Sequence, residues 1–346
     1  MEKILTVSIA AYNAERDLAY CLDSLVNSNV LNQLDIIVIN DGSVDTTPMI
    51  AQSYADRYPD SIRLINKNNG GHGSTINASI PIAQGKYYKL LDSDDWFKSE
   101  SLDRLVEYLE ENDVDMVLNP YQEVSFFNRT EKKFFDPNQA GVQSNVILSV
   151  NNLNTKTILY MHSLTFKTSI VKQMGSIIDE NCFYVDMEYC VFPMLYVKTF
   201  SCLSYPVYQY LIGSQTQSMS MENLIKRRDQ HLKVTKRLVN FYNKNAGKLP
   251  VAVKNSIALR IKYAVYQQYK IYLNMAPGKA YEEIKGFDTW LGKQNKELYA
   301  GPEGRQMKFI RFNRMTGYKL FVPFLALVFL AKSLCKKIRC LFIVQT

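Results

Sequence analysis

The chain has 346 residues, 47% apolar and 21% charged, enough for a sizeable core in about two domains of roughly 150 residues each. That balance excludes a disordered chain and a membrane-embedded one. Residues 1–220 hold 16 Lys and Arg against 26 Asp and Glu, net −10, and residues 221–346 hold 25 against 7, net +18, which excludes a uniformly basic nucleic-acid coat and suggests an acidic working part before a basic attachment part.

Over the first hundred residues, short β-rich runs alternate with helical patterns. Leu5–Ala11, Ile36–Ile39, Ile62–Ile65 and Tyr87–Leu91 suit strands buried on both faces. Between them Leu18, Cys21, Leu22, Leu25 and Val26 recur at helical spacing. Asp45–Tyr58 has Thr46 and Thr47 as caps with Pro48 in the first turn, and Ser74–Ala83 follows a glycine-rich loop. The alternation predicts right-handed βαβ units, a mostly parallel Rossmann-like α/β sheet flanked by helices, and ligands outside the carboxyl ends of its strands.

From about Leu118 to Tyr210 the pattern is less regular, with a hairpin over 123–136, strand-like pieces near Leu164–Phe166 and Val207–Leu211, and a helix from near Asp186. Asn223–Lys244 and Val251–Met275 read as long helices, the second opened by Pro250 and stopped at Pro277–Gly278. The expected divisions are 1–118, 119–220 and 221–346. Tyr263, Tyr266, Tyr269 and Tyr272 recur at about helical spacing and read as core packing rather than a sugar-binding stripe.

The uncharged run Leu320–Ala331 is twelve residues, short of the roughly 18–20 that cross a bilayer. Lys332, Lys336 and Arg339 follow on one helix face, so the end of the chain is expected to lie in the interface of an anionic membrane; a helix covering the core is the alternative. Cys21, Cys182, Cys190, Cys202, Cys335 and Cys340 form no CxxC pair and read as reduced thiols. The opening apolar run is too short for a signal peptide, so the expected location is cytoplasmic, peripheral at the inner face of the cell membrane.

The residues after each strand carry the chemistry. Strand one ends at Ala11 and delivers Tyr12, Asn13 and Glu15, a flat ring and an amide able to hold a nucleobase, although Tyr-Asn is also ordinary turn chemistry. Strand two ends in Asp41-Gly42-Ser43 with Asp45 beyond, which reads as a carboxylate accepting from a base N–H or as a helix cap. After strand three, Gly70, Gly71 and Gly73 permit close backbone approach, and the helix start at Ser74 favours a phosphate. Strand four ends in Asp92-Ser93-Asp94-Asp95, three carboxylates that repel one another unless a cation intervenes; hard oxygen ligands suit Mg²⁺ or Mn²⁺. The other reading is a solvated acidic turn, which the bulk of Trp96 and Phe97 argues against.

In this order the four motifs resemble the nucleotide-binding half of family 2 glycosyltransferases with the GT-A fold, closely over residues 4–115 and loosely to about 220. The resemblance implies that Tyr12, Asn13 and Asp41 hold the nucleoside of a nucleotide-sugar, that Asp92 approaches the ribose, and that Asp94 binds the metal bridging the diphosphate. The full donor-binding set becomes Ala11, Tyr12, Asn13, Glu15, Asp41, Ser43, Lys67, Gly71, Asn77, Asp92 and Ser93. Many members carry Ala-Arg-Asn after the glycine loop. This chain has Thr75-Ile76-Asn77, leaving His72 or Lys67 to replace the arginine.

The family also implies an acidic base early in a later helix. In "ENCFYVDMEY" Asp186 takes that position, Val185 replaces the usual Glu, and Glu188 is the reserve. His162, Tyr210, Gln217 and Ser218 are candidate acceptor contacts; a histidine in the place of His162 is more often a satisfied structural residue than a ligand. The expected activity is inverting transfer of one sugar, from a uridine diphosphate donor, to a hydroxyl of a lipid-linked or growing cell-surface glycan. The rivals are a processive polysaccharide synthase, which wants a Gln-x-x-Arg-Trp segment, a catalytically vestigial nucleotide-sugar-binding protein, and a nucleotidyltransferase, which wants glycines directly after strand one. A homo-oligomer is compatible with the sequence.

Overall fold

A computed structural model of the chain describes residues 2–137, 143–213, 218–327 and 330. Two compact units are present, one of residues 1–218 with 244–260 and one of residues 219–243 with the chain from 261 onward.

The first unit opens with β1 (Leu5–Ala11), α1 (Leu18–Val26), β2 (Leu34–Asp41), α2 (Thr47–Arg57), β3 (Ile62–Lys67), α3 (His72–Ile82) and β4 (Tyr87–Asp92). There follow β5 (Trp96–Phe97), α4 (Ser99–Glu111), β6 (Met116–Leu118), the hairpin β7 (Tyr121–Ser125) and β8 (Glu131–Phe135), β9 (Leu148–Ser149), β10 (Leu164–Lys167), α5 (Thr168–Met174), α6 (Asp186–Val191), β11 (Thr199–Cys202) and β12 (Tyr208–Ile212). An eight-stranded sheet runs β3-β2-β1-β4-β10-β6-β11-β9, and a second sheet runs β5-β12-β7-β8.

β1, β2, β3 and β4 are parallel neighbours, as their apolar runs require. The chain steps β1 to β2 to β3 in one direction and returns past them to β4, so right-handed crossovers set α1 and α2 on one face and α3 on the other. On the first face Leu5, Val7, Ile9, Leu34, Ile36 and Val38 pack with Leu18, Leu22 and Leu25 of α1 and Leu102, Leu105 and Leu109 of α4. On the second face α3 lies flat through small hydroxyls: Ser8 donates to Ser79 (2.8 Å), which bonds the Tyr88 hydroxyl (2.6 Å). The reversal of strand order between β1 and β4 is the switch point at which such sheets hold ligands.

The apolar face carries one cation. Lys89, between Tyr87 and Leu91 on β4, has no exposed surface. Its ammonium donates to the carbonyls of His162 and Leu164, both at 3.0 Å. Burial pulls its pKa down to about 7.

The second unit is helical. The expected helix over 223–244 is two, α7 (Met221–Lys226) and α8 (Arg228–Asn245), broken at Arg227; then come α9 (Val251–Tyr272), α10 (Pro277–Gln294), α11 (Lys296–Ala300) and α12 (Arg305–Met315). Tyr269 and Tyr272 are core residues packed on Phe287. Buried Asp288 accepts from the Tyr269 hydroxyl (2.6 Å) and the Tyr299 hydroxyl (3.0 Å) and pairs with Arg314 (2.7 Å). Among the described residues no helix is long and apolar enough to cross a membrane. Lys332, Lys336, Arg339, Cys335 and Cys340 lie outside the described residues, whereas Cys21, Cys182, Cys190 and Cys202 are buried free thiols.

Candidate active site

The ends of β1 and β2 are stitched together. Asn13, at φ +48°, receives the Val44 N–H on its side-chain oxygen (2.9 Å), and its own N–H donates to Ser43 Oγ (3.0 Å). Glu15 accepts from the N–H and the hydroxyl of Thr46 at the head of α2 (3.1 and 2.7 Å). Asn13, Ser43 and Glu15 therefore brace the rim of the site. Tyr12, half exposed beyond the buried Ala11, is the ring this rim presents.

Asp41 corrects the expectation of an exposed carboxylate. It is 3% exposed, and its oxygens receive the Lys67 ammonium (2.7 Å), the Gly70 and Gly71 N–H groups (2.9 and 2.8 Å) and the Ser74 hydroxyl (3.2 Å). The glycine loop thus turns these donors inward onto Asp41 instead of leaving them for a phosphate, and Lys67 neutralises that carboxylate. Gly71, at φ +78°, supplies the left-handed turn this needs.

The residue that faces the acidic turn is His72, at the start of α3. Its Nε2 stands 3.3 Å from Asp92 Oδ1. Burial opposes a charged ring, but the Asp92 hydrogen bond and the charges of Asp92, Asp186 and Asp41 hold its pKa above the ordinary value. Asp92 touches the ring, while Asp186 and Asp41, from separate stretches of chain, act on it through their charge alone.

Asp92, Asp94 and Asp95 keep one oxygen each within 4.8 Å of one another, yet they differ in kind. Asp95 has no exposed surface; it accepts from the Tyr208 hydroxyl (2.6 Å) and the Leu211 N–H (2.7 Å), and the same hydroxyl takes the Asp92 N–H (3.1 Å). Burial and the charges of Asp94 and Asp92 hold its carboxyl well above the usual range. Asp95 is the rivet joining the two sheets, and the three-carboxylate cation site reduces to the partly open Asp92 and the exposed Asp94, with Ser93 between them. This donor set fits a hard divalent ion that keeps waters and takes diphosphate oxygens.

Asn77 and Glu188 are corrected together. Asn77 accepts the Ile178 N–H (3.0 Å) and donates to the Ile178 carbonyl (2.8 Å) and to Glu180 (3.0 Å). Glu188 has no exposed surface and takes the Asp179 N–H (2.8 Å). Neither side chain is presented to a donor or an acceptor; both hold the 176–182 segment, whose Asn181 N–H also bonds the Gly70 carbonyl (2.5 Å). Gly73 completes the clasp, because a Cβ there would fall 2.0 Å from the Asp179 carbonyl oxygen. The clasp places Asp186, its side chain one-third exposed, at the head of α6.

On the other flank His162 is packed as an aromatic, 4.3 Å from the Tyr210 ring, 4.7 Å from Tyr208 and 4.9 Å from Tyr121. Burial drops its pKa to about 4. Tyr210 is part of that stack. The Ser218 carbonyl accepts from the Tyr184 hydroxyl (3.2 Å), and Gln217 lies outside the described residues. The residues that sequence reasoning passed over, Tyr208, Lys89 and Arg260, act across long sequence separations; Arg260 Nη2 lies 3.5 Å from Asp186 Oδ2.

A mostly parallel sheet with an Asp-Ser-Asp turn after its fourth strand, a glycine loop beside it and a second, smaller sheet defines an α/β protein of the GT-A type. Residues 6–170 match the model of "Glycosyl transferase family 2", and that stretch is a family 2 glycosyltransferase domain. It is 29% identical over 189 residues to the uncharacterized glycosyltransferase EpsJ of Bacillus subtilis, covering 52% of this chain and 53% of that protein. It is 27% identical over 224 residues to the poly(ribitol-phosphate) beta-glucosyltransferase of Bacillus spizizenii, covering 63% of this chain and 33% of that one. The chain thus spans about half or less of the length of these curated relatives. In fold it resembles S. aureus TarS 1-349 in complex with UDP-GlcNAc, at TM-score 0.61 and 16% identity over 85% of this chain and 82% of that one.

Proposed function

We propose that the chain is an inverting glycosyltransferase that moves one sugar from a nucleotide-sugar, a uridine diphosphate sugar, to a hydroxyl of a lipid-linked or growing cell-surface glycan. The observation that carries this reading is the exposed Asp94 beside Asp92, itself paired with His72, at the carboxyl end of β4. The relatives named for poly(ribitol-phosphate) glucosylation and for minor teichoic acid biosynthesis support an acceptor among cell-surface polymers.

Tyr12 offers its ring to the nucleobase and Asp92 its free oxygen to the ribose. Asp94 would hold Mn²⁺ or Mg²⁺, which when bound supplies positive charge to the departing diphosphate. Asp186 takes the proton of the acceptor hydroxyl as its oxygen attacks the anomeric carbon and the bond to the diphosphate breaks; such a base contributes roughly 10²–10⁴ in rate. His72, whose pKa is raised by the hydrogen bond and charge of Asp92 despite its burial, is our candidate to replace the missing loop arginine on the donor side. We place the working protein at the inner face of the cell membrane, with its basic end against anionic lipid.

A panel of nucleotide-sugars screened by thermal unfolding with Mn²⁺ or EDTA tests the donor assignment. One uridine diphosphate sugar should raise the melting temperature with metal only, and Asp94→Asn should remove the metal-dependent part; at 100 times Kd the stabilisation is about 2.7 kcal/mol. Absence of a shift with any nucleotide-sugar refutes the reading.

A further inference from the structure

We propose that Arg260 is a positioning residue for Asp186, an extension that rests on Asp186 as the base. Arg260 lies on the first half of α9, in the stretch that belongs with the first unit, well beyond the matched family domain. It is 5% exposed. Its guanidinium sits over the Tyr160 ring at 5.2 Å, meets Asp186 Oδ2 at 3.5 Å and lines a small cavity together with Cys190. Asp186 and Cys190 are four apart on α6, so the ion pair and the cavity that Arg260 lines fall on one face of that helix.

Two features make this more than a surface ion pair. A guanidinium out of water needs an ionised carboxylate beside it, and Asp186 is the one it has among the described ion pairs of the first unit. Arg260 Nε is buried with no hydrogen-bond partner, so packing rather than a full set of bonds fixes where the group points. Contact through Oδ2 leaves Oδ1 for the acceptor proton. The Arg260 contact at 3.5 Å is the one that sets the direction of the Asp186 carboxylate.

Arg260 adjoins a small cavity lined also by Met194, Ser256 and Ile257, so Arg260→Ala leaves a hole that free guanidinium can enter. The assay is hydrolysis of the uridine diphosphate sugar that most stabilises the parent chain, with Mn²⁺. Arg260→Ala should lower kcat about 100-fold with donor KM within threefold; millimolar guanidinium chloride should restore at least tenfold, and Arg260→Lys should keep most of the rate. Adding Arg260→Ala to Asp186→Asn should cost nothing further.

A parental kcat in Arg260→Ala, no rescue, or losses that multiply in the double variant overturns the positioning role alone. Full activity in Asp186→Asn overturns the base assignment and this inference with it. Independently of any substrate, urea unfolding of the four proteins should show the double variant losing at least threefold less in its folding equilibrium constant than the product of the single losses; a simple product overturns the pairing.

Discussion

Lys89→Met is the most informative single change. In the parent, the folded state holds this ammonium without water, between two carbonyls and an apolar layer, and its pKa falls from 10.5 to about 7. At about 1.4 kcal/mol per pH unit the difference corresponds to roughly 4–5 kcal/mol. Between about pH 7 and 10.5 the unfolded chain binds this proton and the folded chain does not, so Lys89 makes stability rise with pH across that window; below it the full penalty remains. The methionine side chain removes the penalty but leaves two carbonyls without a donor, a loss of about 1–3 kcal/mol. The variant should therefore be the more stable form near pH 6.5 and lose that advantage as pH rises, the difference changing by about 3 kcal/mol between pH 7 and 9.5. Urea unfolding followed by Trp96 fluorescence, in a Trp290→Phe background, reads the first unit directly. Parallel pH profiles for parent and variant would refute a desolvated Lys89.

Other perturbations test the clasp, the helical unit and the tail. Gly73→Ala drives a methyl against the Asp179 carbonyl and should destabilise by about 1–3 kcal/mol while abolishing transfer, with amide exchange accelerated over 176–182; unchanged exchange there would discount the clasp. Asp288→Ala strands the Arg314 guanidinium and two tyrosine hydroxyls and should cost about 3–5 kcal/mol in the helical unit, leaving nucleotide-sugar binding by the first unit in place; equal loss in both would show that they unfold together. Removing residues 320–346 should release the chain from anionic vesicles without changing donor binding, and undiminished sedimentation with the vesicles would assign that segment to the core instead.

The strands and motif order were legible because each is local. A run such as Leu5–Ala11, apolar on both faces, admits few environments, and the groups that follow such runs must emerge at one sheet edge. What stayed hidden is carried by partners far along the chain. Asp94 and Asp95 are the same residue type in adjacent positions, and only Tyr208, 113 residues beyond Asp95, makes one a rivet and leaves the other open. Asn77 looked like a donor contact because it occupies the family's loop position, yet its amide closes on Ile178, 101 residues away. Asp41 sits in a turn that reads as exposed, and the glycine loop folding back over it decides otherwise. Lys89 lies in a run read as buried on both faces, and the carbonyls that receive its ammonium, His162 and Leu164, lie 73 and 75 residues away.

The interlock of residues 70–77 with 176–181 bears on how this chain could be re-engineered. Grafting a foreign glycine loop to change the donor would unseat the segment leading to Asp186, and replacing that segment to change the acceptor would unseat the loop. The two stretches form one cassette, and a chimera that exchanges both should keep Asp186 in register where a single exchange does not.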